Sequence, residues 1–418
     1  MICEAYGYVE RGLWDPPQKT THRKLCDLLC GGEHVSIAVH VHNMSPQSFS
    51  KIMRRRGKAQ LNVSTSWTFS TSGRKDSQAF RTFQDAVQFG DRWRTLSIKE
   101  DTKDAVDFVL HHCQSVLTQV RGLYIRGEFE DESKETKSWP ILASTSSHIP
   151  SMRVAKVPLG CVAYSRCLFQ HLTSLCVRLP EKLDQPENLV DCLRNLARLK
   201  RLTLLASARF DLGSYRTGKV ASMPSLEELE LMFDDLDMDV LTCMLSCISC
   251  QNVRKYIAHF DPLFEHYEDS GSSYDETQKS RDFALNLWSF LGERFPALED
   301  ITLGMQDRFS WDEEFMSILT EPLDAGRWLF SRLSSLTFHL GEGKTEQQLK
   351  CSTLLRLAVA RAQEENISDI HSVTIYGLSD MEVWLERSEF DAVRFYIPNL
   401  YIERTDYRSS WTEGWLFG

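Results

Sequence analysis

Cys243, Cys247 and Cys250 stand in a C-x3-C-x2-C arrangement, the spacing with which three thiolates hold three irons of a four-iron cluster. Such triplets work from a loop, whereas Val240, Leu241, Met244, Leu245 and Ile248 surround this one at helical spacing. The cysteines are therefore expected to border a buried apolar stripe. His40-x-His42 would set two imidazoles on one face of a strand, and His111-His112-Cys113 gathers further zinc-type ligands. Neither group has a completing pair at finger-like spacing, so strand and helix surface histidines are expected.

A nucleophilic serine needs a Gly-x-Ser-x-Gly elbow, and the sequence has none; Asp269-Ser270-Gly271-Ser272-Ser273 reads as loop. The glycine patterns that cradle phosphates are missing too, and Gly341-Glu342-Gly343 reads as a turn. No catalytic, cofactor-binding or metal-binding residue is assigned. The reading is of a non-catalytic chain, with an iron–sulfur enzyme of the radical-SAM type, built on Cys243, Cys247 and Cys250, as the enzymatic alternative.

The elements that would carry these residues repeat. An apolar residue, two variable ones, an apolar one, one variable and another apolar recur eleven times, most cleanly at Leu226, Leu229 and Leu231. The other copies are Trp93/Leu96/Ile98, Val120/Leu123/Ile125, Met152/Ala155/Val157, Leu172/Leu175/Val177, Leu199/Leu202/Leu204, Val253/Tyr256/Ala258, Leu298/Ile301/Leu303, Leu333/Leu336/Phe338, Ile370/Val373/Ile375 and Ile397/Leu400/Ile402. Three consecutive steps of 27 residues run from Leu172 to Val253, within the range of leucine-rich repeats.

The alternating part of each copy has the period of a strand, and the segments between copies have that of a helix, as in Val106, Val109, Leu110, Cys113 and Leu117. One such unit cannot bury its own apolar face, so units must stack. The expected fold class is α/β, an irregular leucine-rich-repeat solenoid with a parallel β-sheet on the concave face and helices outside. Residues 1–33 stay undefined, and 34–90 make a strand-helix-strand cap leading into the array. Residues 91–418 make the solenoid of about eleven units, with long surface loops near 129–148 and 261–280.

A formal charge of -10 argues against a general nucleic-acid binder, which neutralises phosphates with surplus Lys and Arg. No apolar run is long enough to span a membrane, and the first residues lack the layout of a signal peptide. The twelve cysteines are scattered among aliphatic residues, which suits reduced thiols. The expected compartment is cytoplasmic or nuclear, with no nucleic acid and no membrane among the partners.

His34 to Val41 alternates like a strand, Ser45-Pro46-Gln47 starts a helix through Met53, and a second strand surrounds Leu61-Asn62-Val63. Together with Arg56-Gly57-Lys58-Ala59-Gln60-Leu61-Asn62-Val63 and then Trp93-Arg94-Thr95-Leu96, this order resembles the segment that follows the F-box in fungal F-box and leucine-rich-repeat proteins. The resemblance covers about residues 30–418. Gln60 stands where those proteins usually have Pro, and residues 1–33 carry no Leu-Pro-x-Glu-Leu-Leu pattern.

The resemblance implies the substrate-binding part of an F-box-type ubiquitin-ligase receptor, with a Skp-type adaptor of a cullin ligase as partner if an F-box lies upstream. A standalone leucine-rich-repeat scaffold or sensor is the alternative. In the first five repeats a basic residue falls where the concave face is expected: Lys99, Arg126, Lys156, Arg178 and Arg201. With Tyr124 these form the expected partner-binding set, a ladder of charge that would attract an acidic protein.

Overall fold

The computed structural model describes residues 36–41, 44–55, 60–66, 78–99, 103–126, 152–164, 169–180, 186–209, 219–236, 238–262, 286, 288–305, 316, 318–322, 327–340, 351–376 and 388–403. Segments in which large apolar residues alternate with polar ones can bury one side as extended chain, and each becomes a short strand. In chain order these are β1 (Ser36–His40), β2 (Gln60–Ser66), β3 (Trp93–Lys99), β4 (Gly122–Arg126), β5 (Val154–Pro158), β6 (Ser174–Arg178) and β7 (Arg201–Arg209). There follow β8 (Ala221–Ser222), β9 (Glu228–Leu236), β10 (Ile248–Ser249), β11 (Lys255–Pro262), β12 (Asp300–Met305), β13 (Ser335–Leu340), β14 (Ser372–Tyr376) and β15 (Asn399–Glu403).

Thirteen of these strands form one parallel sheet whose spatial order is the order of the chain; β8 and β10 pair separately with each other. The protein is thus α/β with a single large parallel sheet. The register places the repeat side by side. Leu96, Leu123, Ala155, Leu175, Leu202 and Leu229 are successive Cα partners, and the line continues through Tyr256, Ile301, Leu336 and Val373 to Leu400. A second apolar row, two residues on, runs through Val177, Leu204, Leu231, Ala258, Leu303, Phe338 and Ile375 to Ile402.

Both rows belong to one continuous core, with most members fully buried. A buried Leu contributes roughly 1.5–3 kcal/mol, so two rows of this length outweigh the local irregularities of the connections. One residue ahead of the strands the backbone ladder continues. The Arg121 carbonyl accepts from the N–H groups of both Arg153 and Val154, and the Arg153, Thr173, Lys200 and Glu227 carbonyls repeat that double acceptance.

Helices lie in the connections for the reasons their sequences give. Helix Pro46–Arg55 starts after Ser45, whose Oγ accepts the Ser48 N–H at 3.1 Å, and buries Phe49 and Met53. Helix Lys103–Cys113 buries Val106, Val109, Leu110 and Cys113, at the spacing expected. Neighbouring helices touch: Pro46–Arg55 packs on Gln78–Val87, and Cys351–Ala362 on Ser388–Tyr396. Among the described residues no helix is long and apolar enough to cross a membrane.

The segment 34–90 is continuous with the main sheet, because β2 pairs with β3 through Leu61 and Trp93. Residues 1–33 and the loop expected at 129–148 lie outside the described residues. Of the loop expected near 261–280, Asp261 and Pro262 instead pair with Asp235 and Leu236 in strand β11, after a register shift, and the rest lies outside the described residues. Ile248, expected on the cysteine-bearing helix, lies beyond its end at Ser246 and belongs to β10.

One core position is not apolar. Arg361, on helix Cys351–Ala362, is fully buried. Its Nε donates to the Ser368 carbonyl at 3.0 Å, and its Nη2 donates to the carbonyls of Phe330 at 3.0 Å and Leu333 at 3.3 Å. Phe330 has φ 52°, a left-handed conformation that costs a β-carbon-bearing residue about 1 kcal/mol. The guanidinium thus fastens the strained turn before β13 to the loop before β14. Burial lowers its pKa to about 10, and it remains a cation at neutral pH.

Candidate functional site

Strand alternation that sends two rows into the core sends three to the other side of the sheet. A leading row holds Thr95, Gly122, Val154, Ser174, Arg201, Glu228 and Lys255. The middle row holds Tyr124, Lys156, Cys176, Thr203, Glu230 and Ile257, and ends at Tyr401. The trailing row includes Lys99, Arg126, Pro158, Arg178 and Leu205, and ends at Tyr376 and Glu403. This second face carries all six residues expected to bind a partner.

The five cations do not make one ladder. Lys99 and Arg126 are direct partners in the trailing row, and Arg178 follows in that row after the intervening Pro158. Lys156 belongs to the middle row, where it is the partner of Tyr124. Its ammonium is held below the usual lysine range, first by burial, with Arg126 and Arg178 adding repulsion while Cys176 and Glu230 oppose it. Lys99, Arg126, Lys156 and Arg178 therefore form one compact basic cluster over β3–β6. Arg201 is separate: it lies in the leading row and its guanidinium meets Glu228 Oε2 at 2.7 Å. Period-two counting puts a residue on a face, but its row also depends on where each strand starts.

Three further cations escaped the sequence reading. Arg94, Arg121 and Arg153 are exposed at successive strand starts, joined by backbone bonds from Arg121 N–H to the Arg94 carbonyl and from Arg153 N–H to the Arg121 carbonyl, each 2.8 Å. The signal was present in the repeat itself, since each follows the first apolar residue of its copy. Farther along the same rim Lys200 pairs with Glu227 at 3.0 Å and Arg254 with Glu299 at 3.8 Å.

The centre of the second face is covered. Cys176, Thr203, Glu230, Ile257 and Thr302 are all buried, although they point away from the apolar rows. The Thr203 hydroxyl donates to Glu230 at 2.7 Å, and burial raises the Glu230 carboxyl above its ordinary range. Burial likewise pushes the Cys176 thiol up to about 12, which keeps it protonated.

Towards the C-terminal strands the trailing row turns aromatic. His259 and His339 lie 5.9 Å apart between ring centres, His339 stacks on Tyr376 at 4.6 Å, and Tyr376 meets Tyr401 edge-on at 6.3 Å. Burial lowers His259 to about 3, with repulsion from His339 as a smaller cause, and burial lowers His339 to about 4. At neutral pH both rings are uncharged aromatic surfaces.

Only Cys243 of the cysteine triplet lies on the helix expected to carry all three; Cys247 and Cys250 lie beyond its end at Ser246. Cys243 is half-buried on helix Met238–Ser246, Cys247 and Cys250 are buried, and burial pushes the Cys250 thiol up to about 12. His112 donates Nδ1–H to the Phe108 carbonyl at 2.8 Å and packs its ring against both Phe80 and Phe108, which also touch each other. His42 lies outside the described residues. Among the described residues no three His, Cys, Asp or Glu side chains gather so as to hold a metal ion. No protein-family model matches the chain, and no curated protein matches it.

Proposed function

We propose that the chain is a protein-recognition module without catalytic activity: an irregular leucine-rich-repeat solenoid that captures an acidic protein segment on the second face and strand-start rim of β3–β6. The observation that carries this reading is the clustering of Lys99, Arg126, Lys156 and Arg178 beside Arg94, Arg121 and Arg153 on four adjacent parallel strands. Adjacent strands lie about 4.8 Å apart, so seven cations fall within a patch the size of a short peptide. A cluster of basic side chains on adjacent strands favours an acidic partner over a basic one.

Sequential strand order and the in-register apolar rows support the solenoid reading, in which each unit covers its neighbour's apolar side. The resemblance to fungal F-box and leucine-rich-repeat proteins supports reading the acidic segment as a ubiquitin-ligase substrate, and the scattered cysteines support a cytoplasmic or nuclear compartment.

The test uses the full chain and a fluorescently labelled blocked peptide of alternating Glu and Gly, followed by polarisation. Arg126→Glu combined with Arg178→Glu is expected to weaken binding at least about tenfold, since close charge pairs at interfaces couple by 1.5 kcal/mol or more. Unchanged affinity in the double variant sinks the reading. Co-purification of a Skp-type adaptor with the chain tests the ligase assignment; acidic capture without adaptor binding points to a standalone scaffold or sensor.

A further inference from the structure

The geometry points to a second recognition site at the opposite end of the same face, formed by Tyr376, Tyr401 and Glu403, which takes an arginine or lysine side chain of a protein partner. It rests on the reading of this face as a recognition surface, and it uses the reverse chemistry of the basic cluster.

Tyr376 and Glu403 are Cα partners across β14 and β15, and Tyr401 lies two residues before Glu403, so all three project from one side of the sheet. The Tyr401 hydroxyl donates to Glu403 Oε2 at 3.0 Å, which holds the ring against the carboxylate. Tyr376 stands edge-on to Tyr401, and the far side of Tyr376 is filled by His339, stacked at an interplanar angle of 14°. The pair is thus fixed in place by a packed row of rings.

Tyr401 is 53% exposed, although it belongs to the row whose central members are buried. Among the described residues Glu403 forms no ion pair with a cation; its carboxylate accepts from Tyr401. A ring face carries negative potential, and a carboxylate beside it adds a full negative charge, so the combination favours a cation. A guanidinium meets both requirements at once, lying flat on Tyr401 while its N–H fork reaches Glu403. An anion or a neutral apolar group would meet only one or neither.

The two ends of the face therefore read opposite charges, and a single extended segment binding both would have its direction fixed: acidic over β3–β6 and basic over β14–β15. The experiment measures each end separately. The full chain is titrated with a fluorescently labelled blocked peptide of alternating Arg and Gly, and with the same peptide carrying citrulline in place of arginine. The arginine peptide is expected to bind more tightly than the citrulline one.

Tyr401→Leu, which removes the ring without changing charge, is expected to weaken arginine binding about three- to fivefold, and Tyr401→Phe to retain most of it. Glu403→Gln is expected to weaken it by a similar factor. Equal affinity of the native chain and Tyr401→Leu overturns the site, as does a response to Glu403→Gln alone, which would mean attraction by charge without the ring. Because Tyr401 is outside the core, unchanged thermal melting verifies that the variants are folded. Failure of the glutamate peptide with retention of the arginine peptide counts against the acidic-partner reading alone, and the reverse counts against this site alone.

Discussion

Strands β3–β6 and β11–β15 share a backbone: parallel pairing, the same two apolar rows, the same alternation. Their second faces differ throughout. The first group carries Lys99, Arg126, Lys156 and Arg178, whereas the second carries His259, His339, Tyr376 and Tyr401 in ring-to-ring contact. The shared part is what the fold requires, because any strand lacking the apolar rows would expose its neighbour's core. The differing part is not fixed by that requirement, and it is where the proposed recognition chemistry would lie.

The connections differ as well, and that gives the strongest test of how far the two groups are independent. Around β13 and β14 the backbone depends on buried Arg361, which donates to three carbonyls, while the arginines of β3–β6 act at the surface. Arg361→Ala removes all three donors from a site closed to water and is expected to cost about 3–5 kcal/mol in urea denaturation. Binding of the glutamate peptide to β3–β6 by the folded variant should be unchanged. A stability loss under 1 kcal/mol would show that the C-terminal connection does not lean on this residue.

The uncharged state of His259 and His339 sharpens the contrast through pH. Both are depressed in the folded chain, to about 3 and about 4, from the ordinary 6.5. A depressed base contributes stability that is present above pH 6.5 and is lost as pH falls through that value towards 4, because the unfolded chain takes up the protons first. Replacing both with Phe is expected to flatten the acid limb of thermal stability between pH 6.5 and 4. An acid limb identical to that of the native chain would mean that the rings are solvated and the row is not closed.

The smallest expected effect lies at the boundary between the two groups. Glu230 is buried with its pKa raised, so its folded form is favoured at low pH and the stability it contributes is lost as pH rises through the folded value. Glu230→Gln keeps an acceptor for Thr203 and removes the charge. It is expected to be more stable than the native chain at pH 7 and to lose that advantage near pH 4, as read from urea midpoints. A Gln variant less stable at pH 7 would show that the charge is held by its surroundings.

Much of this was readable from residues in order. Leu229, Leu231 and their counterparts announced the strands, Val106, Val109 and Leu110 announced a helix, and the apolar neighbours of Cys247 and Cys250 announced their burial. The basic residues expected on one face do share a side of the sheet, but they do not line up as one ladder, since Lys156 and Arg201 sit two and four residues nearer the strand start than the trailing row. Arg361 gave no signal at all: a lone arginine in Cys351–Ala362 reads as surface, and its burial depends on carbonyls from turns some 30 positions earlier and seven positions later.

The periods of 2 and 3.6 are local properties of a chain, so the amino-acid order alone dictated strand, helix, repeat and apolar side. Register is a relation between distant segments, fixed by how neighbouring units settle against each other. That settling put Arg126 and Arg178 on either side of Lys156, paired Arg201 with Glu228, buried Glu230 in the middle row, and brought Tyr376, Tyr401 and Glu403 together at the end of the sheet. Spacing within one strand cannot encode such meetings, because each depends on which residue of the next strand lies alongside.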